Sequence, residues 1–364
     1  MSINHHKSKQ ISNKAFAARP YQSVQNHSSG FTLVELMISL VLGLLISAAA
    51  LQIFYTSSVN ARRQEASSQV QDNAVFGWSQ MQQHIRRANY GAKPTPASNA
   101  DQYYMNHLTP QGGVVLTAPT DTTAASTSGE KAWLDGNLSG LVLNGAAISS
   151  DLLTTNESGN SISNIEGVSN SDQLTIQYQM SEAGAFNCEG TAIPQNFYVI
   201  ERYFVREEGL ACASAIYEYD VNTAGSSTGI DISSFTDPAK TDSTPNTLGS
   251  NGSIIIPNVD YFRVLLGISS SKDFATDPDN ARIAYIPIPD DPSTLGTDRI
   301  FGVQIAMLAR SNSPTATNQG NTDLRFNILD KRDVALNETT ANGAKSLRTV
   351  YESTVLIRNA RGGV

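Results

Sequence analysis

Few side chains in the sequence have the types and spacing that catalysis requires. After the first 30 residues the only histidines are His84 and His107, and two isolated histidines do not make a Ser-His-Asp arrangement. The segment from Ser269 to Lys272 has the spacing of a Ser-x-x-Lys nucleophile, but in so serine-rich a chain this spacing arises by chance. No glycine-rich phosphate loop and no HExxH motif occurs. The sequence therefore predicts no catalytic residues and a protein that is not an enzyme.

Two turns carry the oxygen ligands that calcium prefers, Thr276–Asn280 and Pro289–Pro292. Neither turn follows the spacing of an EF-hand loop, and turns rich in Asp, Asn and Pro have the same composition without any ion. We therefore predict no metal site and no cofactor, with calcium binding by these acidic turns left as an alternative.

The two cysteines, Cys188 and Cys212, are the only redox-active pair in the chain. In an oxidising compartment they most simply form one disulfide, which contributes about 3 to 4 kcal/mol in the chain-entropy model. Two buried free thiols are the alternative. A metal site is less favoured, because no further ligands lie near them at metal spacing.

One acid, Glu35, interrupts an apolar run over residues 31–54 that has no other charge. A helix of this length rises about 36 Å, enough to cross a bilayer core of about 30 Å. A charged side chain at the bilayer centre costs about 2.5 to 3.5 kcal/mol, and less near an end. The run therefore predicts one membrane span, and its acid is expected to have a partner.

The charges on either side of the span predict its orientation. The first 30 residues carry four basic side chains and no acid, which places them in the cytoplasm by the positive-inside rule. The formal charge of −8 for the whole chain therefore leaves −12 for residues 31–364. An acidic domain rich in Ser, Thr, Asn and Gly is typical of an extracytoplasmic location, and its charge disfavours direct binding of nucleic acid.

Three interpretations of the N-terminus compete. An uncleaved anchor explains the length and the basic flank. A secretory signal explains the small residues Ala48–Ala50, with cleavage before Leu51. A cut between Gly30 and Phe31 would instead leave the span in the mature protein and place a new amine one helical turn from Glu35. Only this third interpretation gives the acid a purpose, since the two charges at the helix tip could pair with those of a neighbouring helix.

The sequence GFTLVEL at residues 30–36 resembles the class III signal of type IV prepilins and pseudopilins. The resemblance implies that an inner-membrane prepilin peptidase cuts after Gly30 and that Phe31 becomes the N-methylated terminus. It also implies that Glu35 is the residue that docks the subunit into a growing filament.

The pattern after the span predicts that the helix continues to about Tyr90. Apolar residues recur there at spacings of three and four, which places them on one face of a helix: Val70, Ala74, Trp78, Met81, Ile85 and Ala88. Tyr90-Gly91 followed by Pro94 and Pro96 end the helix. Its second half, residues 55–91, is therefore expected to pack on a globular head.

The head, residues 92–364, is predicted to be rich in strands. Seven segments have strand patterns: Gln173–Met180, Asn196–Val205, Ser214–Tyr219, Ser253–Ile256, Tyr261–Ile268, Ile300–Ala309 and Thr349–Ile357. Three biased segments are expected to be long surface loops: Thr117–Glu130, Asn222–Ser253 and Ser311–Asn321. The predicted fold is α+β and pilin-like, with a long N-terminal helix packed on an antiparallel sheet.

The order of motifs through the chain is similar to that of the large minor pilins of the PilW type. The stretches that carry this similarity are Asp72–Gly91, Ser171–Gln179, Asn187–Thr191, Asn196–Ser214, Pro257–Ile268, Arg299–Ser311 and Arg348–Ala360. The resemblance implies a low-abundance subunit that helps to nucleate or cap type IV pili, with other minor pilins, the major pilin and a tip adhesin as partners.

The same resemblance implies where each segment lies. Residues 1–30 would be a cleaved cytoplasmic leader, and residues 31–54 would lie in the inner membrane before assembly and in the filament core afterwards. The head would be periplasmic at first and then at the cell surface, near the pilus tip. A minor pseudopilin of a type II secretion system and a membrane-tethered binding protein remain the alternatives.

Overall fold

A computed structural model describes residues 30–91, 105–119, 136–220, 229–270, 282–314, 325–337 and 346–357. The chain divides into one unit that ends at Thr56 and a second that begins at Ser57, and each is described by itself. The predicted leader up to residue 29 and the acidic turn Thr276–Asn280 lie outside the described residues, as does most of the predicted loop Thr117–Glu130.

A single helix, α1, runs from Leu33 to Arg87. The predicted long helix is confirmed, although it begins two residues later and ends three residues earlier than expected. It ends because Asn89 adopts a left-handed backbone with φ of 66°, a conformation that asparagine tolerates better than most residues. The Tyr90 N–H then closes the last turn on the Arg87 carbonyl at 2.8 Å.

In the first unit the helix exposes its apolar side chains. The large apolar residues between Leu33 and Phe54 are each 53% to 76% exposed. This is the one helix of the described residues that is long and apolar enough to cross a membrane. The Ser39 and Ser47 hydroxyls donate to carbonyls four residues earlier, Ser47 to the Gly43 carbonyl at 2.8 Å, so neither is left as an unsatisfied donor on this apolar surface.

In the second unit the predicted apolar stripe of the helix is buried. All six of its residues are at most 8% exposed, which confirms the stripe. Gly77 lies on the same face, and a Cβ there would come within 2.4 Å of both the Ile255 carbonyl oxygen and Ile256 Cγ1. Only glycine therefore allows this close approach of helix and strand.

Sixteen strands follow in the described residues. In chain order they are β1 (Leu141–Val142), β2 (Leu174–Gln179), β3 (Ala185–Phe186), β4 (Ala192–Ile193), β5 (Tyr198–Arg206), β6 (Gly209–Tyr217), β7 (Ile230–Asp231), β8 (Ser234–Thr236), β9 (Ser243–Pro245), β10 (Ser253–Pro257), β11 (Val259–Ser269), β12 (Ala284–Pro287), β13 (Arg299–Pro314), β14 (Phe326–Ile328), β15 (Lys331–Val334) and β16 (Ser346–Leu356). Short 3-10 helices occupy Ser150–Leu152 and Pro292–Leu295.

Eight of the strands form two four-stranded antiparallel sheets. The first has the order β10-β6-β5-β2 and the second the order β12-β11-β13-β16. The remaining strands form small pairs: β1 with β7 in parallel, and β3 with β4, β8 with β9 and β14 with β15 antiparallel. The fold is therefore α+β, as predicted.

One cluster of buried side chains joins the helix stripe to both sheets. Met81 and Ile85 of the helix belong to it with Tyr178 of the first sheet and Phe262 and Ile305 of the second. Each is at most 1% exposed, and burial of an apolar side chain of this size contributes about 1.5 to 3 kcal/mol. The second half of the helix is thus part of the core of this unit.

The strand predictions hold for seven of the eight strands in the two sheets, with three corrections to strand and loop boundaries. Strand β6 begins at Gly209 rather than Ser214. The prediction missed its first half because most residues there are small, although all of them are buried. The segment Asn222–Ser253 is not simply a surface loop: from residue 229 onward it forms β7, β8 and β9 and buries Ile232 and Leu248. Likewise, β13 extends to Pro314, into the third predicted loop.

Candidate processing and assembly site

The start of α1 brings together the residues that the sequence selects for processing and assembly. Gly30, Phe31 and Thr32 precede the first helical residue, Leu33. Phe31 is 82% exposed. The Gly30–Phe31 peptide bond therefore lies outside the helix.

Thr32 caps the helix. Its hydroxyl oxygen accepts a hydrogen bond from the Glu35 N–H at 3.2 Å, and its carbonyl accepts the first helical bond from the Leu36 N–H at 3.1 Å. This is the bonding of an N-cap residue, which satisfies one of the backbone donors left free at a helix start. Thr followed three residues later by Glu is also the spacing of a capping box.

The Glu35 side chain has no partner among the described residues. Its backbone takes part in the cap, and its carbonyl accepts a hydrogen bond from the Ser39 hydroxyl, but its carboxylate is exposed and makes neither a hydrogen bond nor an ion pair within the described chain. A negative charge in the first turn is favoured by the helix dipole. The acid is thus placed at a helix start with both carboxylate oxygens available.

Nothing in the described fold requires glycine at position 30. No atom lies within 4 Å of a Cβ built there, and its φ lies outside the left-handed region that favours glycine. The glycine of the motif therefore has no conformational or packing role among these residues. A requirement for it would come from a molecule that binds this segment.

The disulfide predicted in the head is formed in the structure. Cys188, in the turn between β3 and β4, is joined to Cys212 of β6, with the two Cα atoms 6.2 Å apart. Both residues are buried. The bond ties the β3–β4 hairpin to the first sheet.

A buried carboxylate that sequence reasoning missed lies beside this disulfide. Glu201 of β5 is fully buried and accepts hydrogen bonds from His84 Nδ1 at 2.8 Å, from the Tyr178 and Tyr203 hydroxyls at 2.9 and 2.8 Å, and from the Cys188 N–H at 2.7 Å. These donors come from the helix, from the edge strand β2, from β5 itself and from the disulfide turn. Glu201 therefore links all of these elements in the interior.

The charges in this network are matched. Burial alone would raise the pKa of Glu201, but the charge of His84 and the hydrogen bonds from His84, Tyr203 and Tyr178 outweigh it and hold the pKa below its usual value. Burial, and then the charge of Glu201, raise the pKa of Tyr178 and Tyr203 well above the usual value for a phenol. The two phenols therefore remain neutral donors.

The other two buried acids of the described second unit also have cationic partners. Asp260 binds Arg348 Nε at 2.7 Å and also pairs with Arg310. Asp172 pairs with Arg263 at 3.2 Å, and burial raises the pKa of Asp172 to about 6. Each buried acid is thus neutralised within the head.

Arg263 also connects the β14–β15 hairpin to the second sheet. Its Nε and Nη2 atoms bind the two carboxylate oxygens of Asp330, at 2.8 and 2.6 Å. Such a two-point contact fixes orientation as well as distance. These ion pairs hold strands and hairpins together rather than forming a reactive centre.

Two cavities in the described part of the head have no catalytic arrangement. A groove of about 600 Å³ is lined by Tyr285, Gln304 and Arg332 among others, and its acids are Asp330 and Glu352. Asp330 is bound to Arg263, and Glu352 accepts a hydrogen bond from the Leu329 N–H. A smaller pocket of about 220 Å³ next to the disulfide turn contains Glu189, which accepts hydrogen bonds from the Ser214 and Thr247 hydroxyls.

The acidic turn and the histidine that the sequence offered as candidates make contacts that stabilise local structure. The described residues contain no cluster of His, Cys, Asp and Glu that could hold a metal ion, and Asp291 of the second acidic turn caps the 3-10 helix by accepting from the Ser293 N–H at 2.9 Å. His107 is buried in a turn, where desolvation lowers its pKa. Its carbonyl accepts a hydrogen bond from the Thr117 hydroxyl.

Two family models match the chain, one near its N-terminus and one in its C-terminal part. Residues 234–359 match the family described as type IV pilus-assembly protein W, PilW, and residues 25–51 match the prokaryotic N-terminal methylation motif. No curated protein sequence matches the chain. Among solved structures, a type IV-like pilin from Thermus thermophilus aligns at 15% identity with a TM-score of 0.26, over 54% of this chain and 83% of that one.

Proposed function

The chain is a pilin of the PilW type, with a prepilin methylation motif at its N-terminus, and from this premise we propose that it is a minor pilin that acts in the initiation of type IV pili or in their tip complex. The match to a family of pilus-assembly proteins agrees with the prediction that the chain is not an enzyme. The motif and the apolar helix indicate membrane anchoring and association with a pilus.

Processing is proposed between Gly30 and Phe31. The peptide bond lies outside the helix, and no described residue fills the space beside Gly30. A prepilin peptidase would remove the leader and methylate the new amine of Phe31. The mature protein would then begin two residues before its helix.

Glu35 is the proposed docking residue, and its lack of a partner is the observation that carries the proposal. The buried acids Glu201, Asp172 and Asp260 all have cationic partners from their own unit, whereas Glu35 lies on an exposed apolar helix with no described partner. In lipid or in a helix bundle an unpaired carboxylate is costly. The methylated amine of Phe31 on a neighbouring subunit would supply the missing cation.

Assembly would also cover the apolar surface of residues 33–54. Helices of other pilins present the same kind of surface, so the major pilin and other minor pilins are the proposed partners, with a tip adhesin at the distal end. In this scheme the inner membrane holds the subunit until it is incorporated, and the head lies in the periplasm and later at the cell surface. The PilW match describes pilus assembly, which favours a pilus over a type II secretion system.

The first test is the N-terminal sequence and intact mass of the protein from membranes of a strain with its own prepilin peptidase. We expect Phe31 at the terminus, carrying one methyl group. A terminus at Leu51 or an intact Met1 would refute the proposal. Because the described residues leave room for a Cβ at position 30, loss of processing in Gly30→Ala would report recognition by the peptidase.

The second test is piliation in a strain that depends on this gene. We expect Glu35→Ala to be processed but to lose pili, and Glu35→Asp to retain part of the function because it keeps the charge. Gln52→Ala is the matched control, since it removes another polar side chain of the same apolar helix. Normal piliation with Glu35→Ala would exclude the docking role.

A further inference from the structure

We propose that Thr32 is a positioning residue for cleavage: by capping the helix, it stops α1 at Leu33 and keeps the Gly30–Phe31 bond extended for the peptidase. The inference rests on the proposed processing of the chain and identifies which side chain prepares the substrate. It concerns the conformation of the bond that is cut, whereas the glycine and the acid of the motif concern recognition and docking.

The hydroxyl of Thr32 behaves differently from the other hydroxyls of the helix. Those of Ser39 and Ser47 donate to the carbonyl four residues earlier and lie inside the helical ladder. The hydroxyl of Thr32 instead accepts from the N–H of Glu35, three residues later. A side chain that accepts from the first turn competes with a preceding carbonyl for these donors, so it marks the place where the helix begins.

The alternative to the cap is a helix that extends toward the leader. Each further helical residue would pair an N–H with the carbonyl four residues before it, so the carbonyl of Gly30 would be bound by the N–H of Val34. Phe31 has a moderate helix propensity and would not oppose this extension strongly. The Thr32 hydroxyl instead binds the Glu35 N–H, which in an extended helix would bind the Phe31 carbonyl, so helical bonding does not continue back toward Gly30.

The state of that carbonyl matters for hydrolysis. Water adds to the carbonyl carbon of Gly30, the bond to the Phe31 nitrogen breaks, and the nitrogen takes up a proton. The products are a carboxylate on Gly30 and an amine on Phe31. Peptide bonds within a hydrogen-bonded helix have to open before a protease can act on them, and with the cap in place this bond needs no opening.

The experiment is a time course of cleavage of the full-length precursor by prepilin peptidase in membranes. Thr32→Ser and Thr32→Asn keep an N-cap acceptor, whereas Thr32→Val keeps the shape of threonine without the acceptor, and Thr32→Ala has neither. We expect the first two to be cleaved within about twofold of the wild-type rate. The other two are expected to be slower by about fivefold, equivalent to about 1 kcal/mol for a lost cap.

Two controls separate the cap from other effects. Ser47→Val removes a hydroxyl of the same helix that is not at its start and is expected to be cleaved at the wild-type rate. Rescue by both Ser and Asn, which differ from each other in size, distinguishes capping from recognition of the threonine side chain itself.

The outcomes are distinguishable. If Thr32→Val is cleaved as fast as wild type, or if Ser and Asn are as slow as Val, the positioning role is wrong while cleavage after Gly30 still stands. If the wild-type precursor is not cut between Gly30 and Phe31 at all, the proposed processing itself is wrong and the inference fails with it.

Discussion

Replacement of Glu201 by glutamine is expected to lower the free energy of unfolding by about 3 kcal/mol. The substitution keeps the shape of the side chain, removes its charge and replaces one oxygen by a donor group. Glu201 is fully buried and its two oxygens accept from four donor groups. Breaking a buried ion pair by removal of one partner costs about 3 to 5 kcal/mol.

The lower end of that range follows from the geometry. If the amide oxygen takes the place of Oε1, it keeps the bonds from Tyr178 and from the Cys188 N–H. The amide nitrogen then faces the Tyr203 hydroxyl, which can rotate to accept from it. His84 loses its charged partner, and this loss dominates. Glu201→Leu would instead leave all four donor groups unpaired, at about 1 to 3 kcal/mol each.

The assay is unfolding of the full-length protein by urea in detergent micelles. Glu208→Gln is the matched control, because it makes the same substitution in an exposed pair with Arg206 and is expected to change stability by less than about 0.5 kcal/mol. A double-mutant cycle with His84→Gln isolates the pair, and a coupling of about 1 to 3 kcal/mol is expected. A loss below about 1 kcal/mol for Glu201→Gln, or no coupling with His84, would refute the reasoning.

Acid offers an independent check of the same site. The pKa of Glu201 is lower in the folded protein than in the unfolded chain, so the stability that its charge contributes is fully present above the unfolded pKa, about 4.5. It is lost as the pH falls through the folded value. Glu201→Gln is therefore expected to flatten the decline of stability below about pH 4.5, and an unchanged decline would count against the ionised form.

Three other predictions follow from contacts in the second unit. Burial raises the pKa of Asp172 to about 6, so this group makes stability fall as the pH rises from about 4 to about 6, by roughly 3 kcal/mol; we expect Asp172→Asn to remove that slope in urea unfolding, and an unchanged slope would contradict it. Cys188→Ser is expected to lower the free energy of unfolding by about 3 to 4 kcal/mol without altering cleavage of the leader, and an unchanged melting temperature would refute this. Gly77→Ala is expected to cost about 1 to 3 kcal/mol because the new methyl group meets the Ile255 carbonyl; Gly43→Ala, with no atom within 4 Å, is the control, and equal stability of both variants would contradict the packing argument.

The helix and most strands were predictable because their apolar residues follow regular periods. The stripe from Val70 to Ala88 has a helical period and is buried as expected, and seven sheet strands stand out as apolar runs. Strand β12 was missed because Ala284–Pro287 has four residues and lies among prolines and aspartates, which is typical of a turn. The short strands β7, β8 and β9 were missed because each has only two or three residues and most of these are polar.

The buried network was missed for a different reason. Pairing between His84 and Glu201, which are 117 positions apart, depends on tertiary contacts that no local pattern contains. A partial signal was nevertheless present. His84 lies three residues after Met81 and four before Ala88, on the buried stripe, and a histidine there needs a partner. Glu201 lies with Arg202 in an otherwise largely apolar and aromatic strand that is buried on both faces.

The role proposed for Glu35 is the opposite of the role that Glu201 has in the fold. Glu201 is surrounded by donors from its own unit, so its charge contributes to the stability of the fold and its replacement is expected to destabilise the head. Glu35 has no side-chain donor among the described residues, so its replacement removes no described contact and is expected to affect assembly. If that prediction holds, a carboxylate in apolar surroundings has an internal role where the chain provides its partner, and an intermolecular role where a neighbour supplies it.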